Sequence, residues 1–145
     1  MAPYPDDPAI PDEELLRRRL LRHANWIKAD GTLSSLPFQD RTTPERLVSV
    51  HRASIWTIDD VLKNYPGVGV AEVTAGDARA NQHDVAGDPL PEDPSHAVLV
   101  PTPALSSNSK RKEAAYKLAK LARIVVEPPV TTAPVAVADE PQEGT

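Results

Sequence analysis

Sixteen prolines in 145 residues outline what this chain can form. Proline lacks an N–H and fixes φ, so it is kept out of helix interiors and central strands. Most of them fall in three clusters: Pro3 to Pro11, Pro89 to Pro103 and Pro128 to Pro141. The outer clusters read as tails, residues 1–11 and 128–145, and leave residues 12–127 as a single domain. A stretch of about 116 residues encloses one modest core and no second one.

The tails also account for the charge. The formal net charge is −5, yet residues 12–127 hold all 16 Lys and Arg and 16 of the 21 Asp and Glu. The domain is therefore neutral, and the acidity belongs to Asp6, Asp7, Asp139, Glu140 and Glu143. Acidic, Pro-rich segments with few bulky apolar residues have the composition of disordered chain, which is the expectation for both tails.

Between the clusters, hydrophobic periodicity predicts the elements. Pro11-Asp12-Glu13-Glu14 reads as a helix start with Asp12 as cap, and Leu16, Leu20, Ala24 and Ile27 then recur on one helical face. Asp30-Gly31 is a turn, and the stretch broken by Pro37 and Pro44 reads as a loop. "LVSVHRA" alternates, Val48 and Val50 against Ser49 and His51, which predicts a strand. Thr57 to Tyr65 predicts a short helix capped by Thr57 with Asp60 three residues on. "VGVAEVTAG" predicts a second strand, with Thr74 and Asp77 opening another short helix. His96 to Val100 predicts a third, interior strand. Ser106 to Pro128 carries the strongest helix signal, with Ala115, Leu118, Ala122 and Val125 as its stripe. Helices and strands are intermixed, so the predicted class is α+β: one small mixed domain, a short sheet flanked by helices.

Several function classes fall away. With no cysteine there is no disulfide staple, thiolate zinc site or Cys nucleophile. Gly67-Val68-Gly69 lacks the third glycine of a dinucleotide fingerprint, Glu72 standing in its place, and no P-loop lysine follows. No two histidines are three or four residues apart. "NQHDVAGD", which sets His83 beside Asp84 and near Asp88, reads as a polar surface loop rather than a metal site. The pattern calls for no metal and no cofactor. No apolar run approaches the roughly 18 residues of a membrane span. The acidic N-terminal stretch lacks the basic start and apolar run of a signal peptide.

Five stretches in order, "LLRRRLLRHANWI", "LSSLPFQD", "LVSVHRAS", "GVGVAEVTAGDARA" and "DPLPEDPSHAVLV", followed by the Lys-rich last helix, resemble a group of small uncharacterised bacterial proteins. The resemblance covers roughly residues 15–126. It implies one bacterial, cytoplasmic domain and brings no catalytic residues with it.

Two sets of residues are candidates for function. Basic side chains gather at Arg17, Arg18, Arg19 and Arg22, and again at Lys110, Arg111, Lys112, Lys117, Lys120 and Arg123. If both segments are neighbouring helices, they form a positive stripe suited to nucleic acid or an acidic protein partner. The second set is His51, Arg52 and His96, where strands begin or end. Imidazole can serve as acid or base and guanidinium can hold phosphate, enough for a hydrolase or transferase acting on RNA or a nucleotide. The leading expectation is a non-enzymatic accessory protein that binds a macromolecule through basic helical faces; the alternative is that small enzyme. The two differ in a visible way. The enzyme needs His51, Arg52 and His96 in one pocket, whereas the binding protein needs both basic clusters on one exposed face.

Overall fold

The computed structural model describes residues 4–21, 26–39 and 47–129. Among them lies one six-stranded sheet in the order β4-β5-β2-β1-β3-β6, antiparallel at every pairing. The strands are β1 (Leu15–Leu20), β2 (Val48–Arg52), β3 (Gly69–Thr74), β4 (His83–Gly87), β5 (His96–Pro101) and β6 (Arg123–Val126). The helices are α1 (Ile58–Asn64), α2 (Ala75–Ala80) and α3 (Asn108–Leu121), with a 3-10 turn at Leu36–Phe38. The predicted α+β class therefore stands as a single small mixed domain.

The locally encoded elements form as expected. Thr57 accepts from the Asp60 N–H while the Asp60 carboxylate accepts from the Thr57 N–H, a full capping box on α1. Thr74 caps α2 and Ser107 caps α3 in the same manner, one hydroxyl to one backbone N–H. Gly67 holds a φ of +87° in the turn from α1 to β3. Gly69 is glycine for another reason: a Cβ there would lie 2.5 Å from the Pro128 N and the Val126 O. Its bare backbone lets β6 close against β3.

Three expectations are overturned. The segment predicted as the first helix is strand β1, and Asp12 caps nothing there. Leu16 and Leu20 are four apart, a spacing shared by helix and strand. The sheet decides between the two, because β1 pairs on both sides, six residues against β3 and two against β2. The "NQHDVAGD" loop is edge strand β4, with His83 buried. It pairs with β5 over five residues, and its Val85 enters the core. The last helix stops at Leu121, and Arg123–Val126 turns back as β6. Val125 therefore leaves the helical stripe, which is Ala114, Ala115, Leu118 and Ala119.

Residues 4–11 do not behave as the expected free tail. Ile10 is 1% exposed in the core. The Asp6 carboxylate accepts from Arg79 and from the Val85 N–H, and the Asp7 N–H donates to the Val85 carbonyl. This stretch covers the outer edge of β4, which would otherwise present unpaired strand groups. Residues 130–145 of the second expected tail, and Ala24 of the expected helix stripe, lie outside the described residues.

Side-chain alternation divides the sheet into two faces. Leu16, Leu20, Val48, Val50, Ala71, Val73, Val85, Ala97 and Leu99 point to one face, where α3, α2 and Phe38 cover them. Arg17, Arg19, Ser49, His51, Glu72, His96 and Val98 point to the other, toward α1 and residues 88–95. No helix among the described residues is long and apolar enough to cross a membrane.

Candidate functional site

The three residues of the expected catalytic set do not meet. His51 and His96 are paired across β2 and β5 on the α1 face. Arg52, one residue further along β2, points to the opposite face. There its guanidinium bonds both oxygens of Glu14 at 3.0 and 3.2 Å. Ser54 donates to Glu14 as well, from its N–H and its hydroxyl. Burial alone would raise the Glu14 carboxyl, but the bonds from Arg52 and Ser54 outweigh it and hold it below its ordinary value. Arg52 is thus committed to a structural ion pair.

His51 lies at the centre of a buried polar network. Its Nδ1 is 3.0 Å from Ser95 Oγ and 3.2 Å from Asp93 Oδ2. The Ser95 hydroxyl donates to Asp93 Oδ1 at 2.7 Å, so Nδ1 carries the ring hydrogen. The Tyr65 hydroxyl donates to the same carboxylate at 3.2 Å, and the Arg19 guanidinium lies 3.9 Å from the Tyr65 ring centroid. Trp56 stacks on the imidazole at 5.5 Å and Tyr65 meets it at 5.4 Å. Burial pushes the His51 pKa down to about 4 against the pull of Asp93, so the ring is neutral near pH 7.

This network lacks the layout of a hydrolytic triad. There the serine bonds Nε2 and the carboxylate bonds Nδ1. Here Ser95 and Asp93 share Nδ1, while Nε2 is buried and has no partner among the described residues. His96 is satisfied at both ring nitrogens, Nδ1 by Asp88 and Nε2 by Ser49 Oγ, each at 3.1 Å. Both histidines hold β2, β5 and residues 88–95 together.

The two basic clusters do not share a face either. Arg17 and Arg19 point to the α1 side of a central strand. Arg17 bonds Glu72 at 2.9 Å and the Trp56 carbonyl at 2.9 Å. Arg18 points to the other side and donates to the carbonyls of Pro37 and Ser49. Arg22 lies outside the described residues. The arginines of β1 are internal cross-links rather than a surface.

The α3 cluster does reach solvent. Lys110, Lys112, Lys117, Lys120 and Arg123 are exposed, while Arg111 turns back to the Leu105 carbonyl and Asn108. Residues 108–123 carry six basic side chains and one acidic, Glu113. Glu113 reaches only Lys117, at 3.9 Å. Beside the C-terminal half of α3 runs a cleft of about 460 Å³, lined by Lys28, Thr32, Leu33, Tyr116, Lys120, Arg123 and Ile124 among others, with no carboxylate in its lining. Tyr116 is 44% exposed. The ammonium groups of Lys28 and Lys120 lie 5.7 and 5.3 Å from its ring centroid.

Lys120 and Arg123 are among the residues expected from the sequence; Tyr116 and Lys28 are not. Tyr116 carried a usable signal, since it lies four residues before Lys120 on one helix. Lys28 carried none, because only the tertiary fold brings it to α3. Tyr65, Asp93 and Ser95 likewise join His51 only through the fold. No family model, no curated protein and no solved structure matches this chain.

Proposed function

We propose that the chain is a non-enzymatic bacterial accessory protein, cytoplasmic as its resemblance implies, that binds an anionic macromolecule through the outward face of α3. The observation that carries this reading is the convergence of Lys28 and Lys120 on exposed Tyr116 in a cleft lined by no carboxylate. The acidic whole-chain charge does not oppose it. Fields at a surface are screened beyond about 8 Å at physiological salt, so a partner meets the local excess on α3 rather than the distant acids.

The alternative, a hydrolase or transferase directed at RNA or a nucleotide, needs a reachable base beside an anion-holding guanidinium. Arg52 leaves on the opposite side of the sheet, and the free nitrogen of His51 is enclosed. The weight therefore falls on binding.

The test is a titration of the full chain with heparin as a generic polyanion. The comparison is a variant carrying Lys110→Gln, Lys112→Gln, Lys117→Gln and Lys120→Gln. The wild type is expected to bind with an affinity that falls steeply with salt, and the variant to bind at least about tenfold more weakly with an unchanged melting temperature. Equal affinity of the two proteins would refute the assignment to α3.

A further inference from the structure

We propose that the cleft beside α3 is a binding site for single-stranded nucleic acid, in which an unpaired base stacks on Tyr116 while the flanking phosphates lie against Lys28 and Lys120. The inference rests on the reading of α3 as a polyanion-binding face and narrows it to one class of partner. Lysines alone would suit any polyanion. An exposed tyrosine ringed by cations suits a ligand that carries a flat π-system and negative charge within one repeating unit. A nucleotide is such a ligand, whereas an acidic peptide offers carboxylates without the ring.

The walls are prepared for it. Residues 28–32 form a tight turn, with the Lys28 N–H donating to the Thr32 carbonyl and the Gly31 N–H to the Lys28 carbonyl. Asp30, two residues from Lys28, anchors this turn: Oδ1 accepts from the Thr32 N–H at 3.0 Å and from the Thr32 hydroxyl at 2.6 Å. Arg123 also borders the cleft, but its guanidinium turns away to Glu72, 3.7 Å off on the α1 side. Leu33 and Ile124 supply apolar wall. The volume falls within the roughly 300–1,000 Å³ of small-ligand sites. A concave site of that size admits a splayed base; paired, stacked bases in a duplex cannot enter it.

Lys28 and Lys120 rest against the ring within the about 6 Å range of a cation–π contact. An arriving base competes for the same ring, and the displaced ammonium is then beside the phosphate that came with it. Stacking and charge neutralisation are thereby separable. The ring sets the preference for single strands, and the cations set the salt dependence.

The experiment uses the full chain and labelled RNA and DNA single strands of about 12 nucleotides, within the reach of such sites. A blunt duplex of the same length and poly-glutamate complete the set. Single strands are expected to bind at least about tenfold tighter than the duplex. Tyr116→Leu is expected to lose roughly 5- to 100-fold on single strands, and Tyr116→Trp to retain binding. The logarithmic salt slope should be unchanged in Tyr116→Leu and shallower by about 0.7 in Lys120→Gln. Wild-type affinity in a folded Tyr116→Leu, equal affinity for the duplex, or binding to poly-glutamate alone would each overturn the single-strand assignment. If the α3 lysines still governed heparin binding, the broader reading would survive that result. Loss of heparin binding as well would remove both.

Discussion

His51 touches Asp93 and Ser95 through Nδ1, and burial lowers its pKa to about 4. In the unfolded chain the ring takes a proton near 6.5. Between those two values the unfolded state binds more protons than the folded one. Stability is therefore complete above about pH 6.5 and falls as the pH drops toward 4. The difference corresponds to about 3 kcal/mol. Burial lowers His83 as well, which adds loss in the same direction. Glu14 acts in a separate window. Its carboxyl is held below 4.5, so its contribution is present above that pH and lost below it. Urea midpoints at pH 7 and pH 4.5 should show a marked loss for the wild type. His51→Asn should be less stable at pH 7 and show a smaller drop on acidification. An identical drop in both proteins would mean that His51 does not govern the acid response.

β5 lies between β4 and β2, with Val98 buried on the α1 face. Val98→Asp is expected to unfold the domain. A carboxylate with no partner there costs several kcal/mol against a total stability of about 5–15. A cooperative melt near the wild-type temperature would contradict the placement. Elements of this kind differ in how openly the sequence announces them. The caps of α1 and α2 were legible because Thr57–Asp60 and Thr74–Asp77 act within four residues. β2 was legible because Val48-Ser49-Val50-His51 alternates cleanly. β1 was hidden because Arg18 occupies an inward position between Leu16 and Leu20, breaking the alternation and leaving a spacing that fits a helix equally well. Arg18 is tolerated there because backbone carbonyls of Pro37 and Ser49 receive it. No local signal foretold those partners. β6 was hidden by the helix before it, since the stripe of α3 continues in register through Ala122 to Val125. Of the candidate site, the lysines of α3 follow from helical period alone. The cleft depends on Lys28 meeting Tyr116 across about ninety residues of sequence, beyond the reach of any local pattern.

At the scale of the whole molecule, the N-terminal stretch belongs to the fold. Ile10 enters the core, and Arg79 gathers Asp6, the Asp7 carbonyl and Asp12 at 2.9, 2.9 and 2.6 Å. Removing residues 1–11 is expected to lower the melting temperature clearly. Ile10→Ala alone should cost about 2–5 kcal/mol. A trimmed chain melting like the intact one would show that this stretch is dispensable. The molecule thus has a closed side and an open side. On the α1 face, most charged and polar groups bond one another around His51 and Asp93, while His51 Nε2 and Arg19 Nε are buried without a hydrogen-bond partner among the described residues. On α3, like charges stand exposed and mostly unpaired, and the proposed binding face rests on that contrast. Amide chemical-shift mapping of the full chain during titration with heparin tests this most directly. The expected result is perturbation over Lys28–Leu33 and Lys110–Ile124, with His51, Tyr65 and Asp93–His96 unmoved. Perturbation centred on His51 and His96, with α3 silent, would contradict it and place the site on the opposite face.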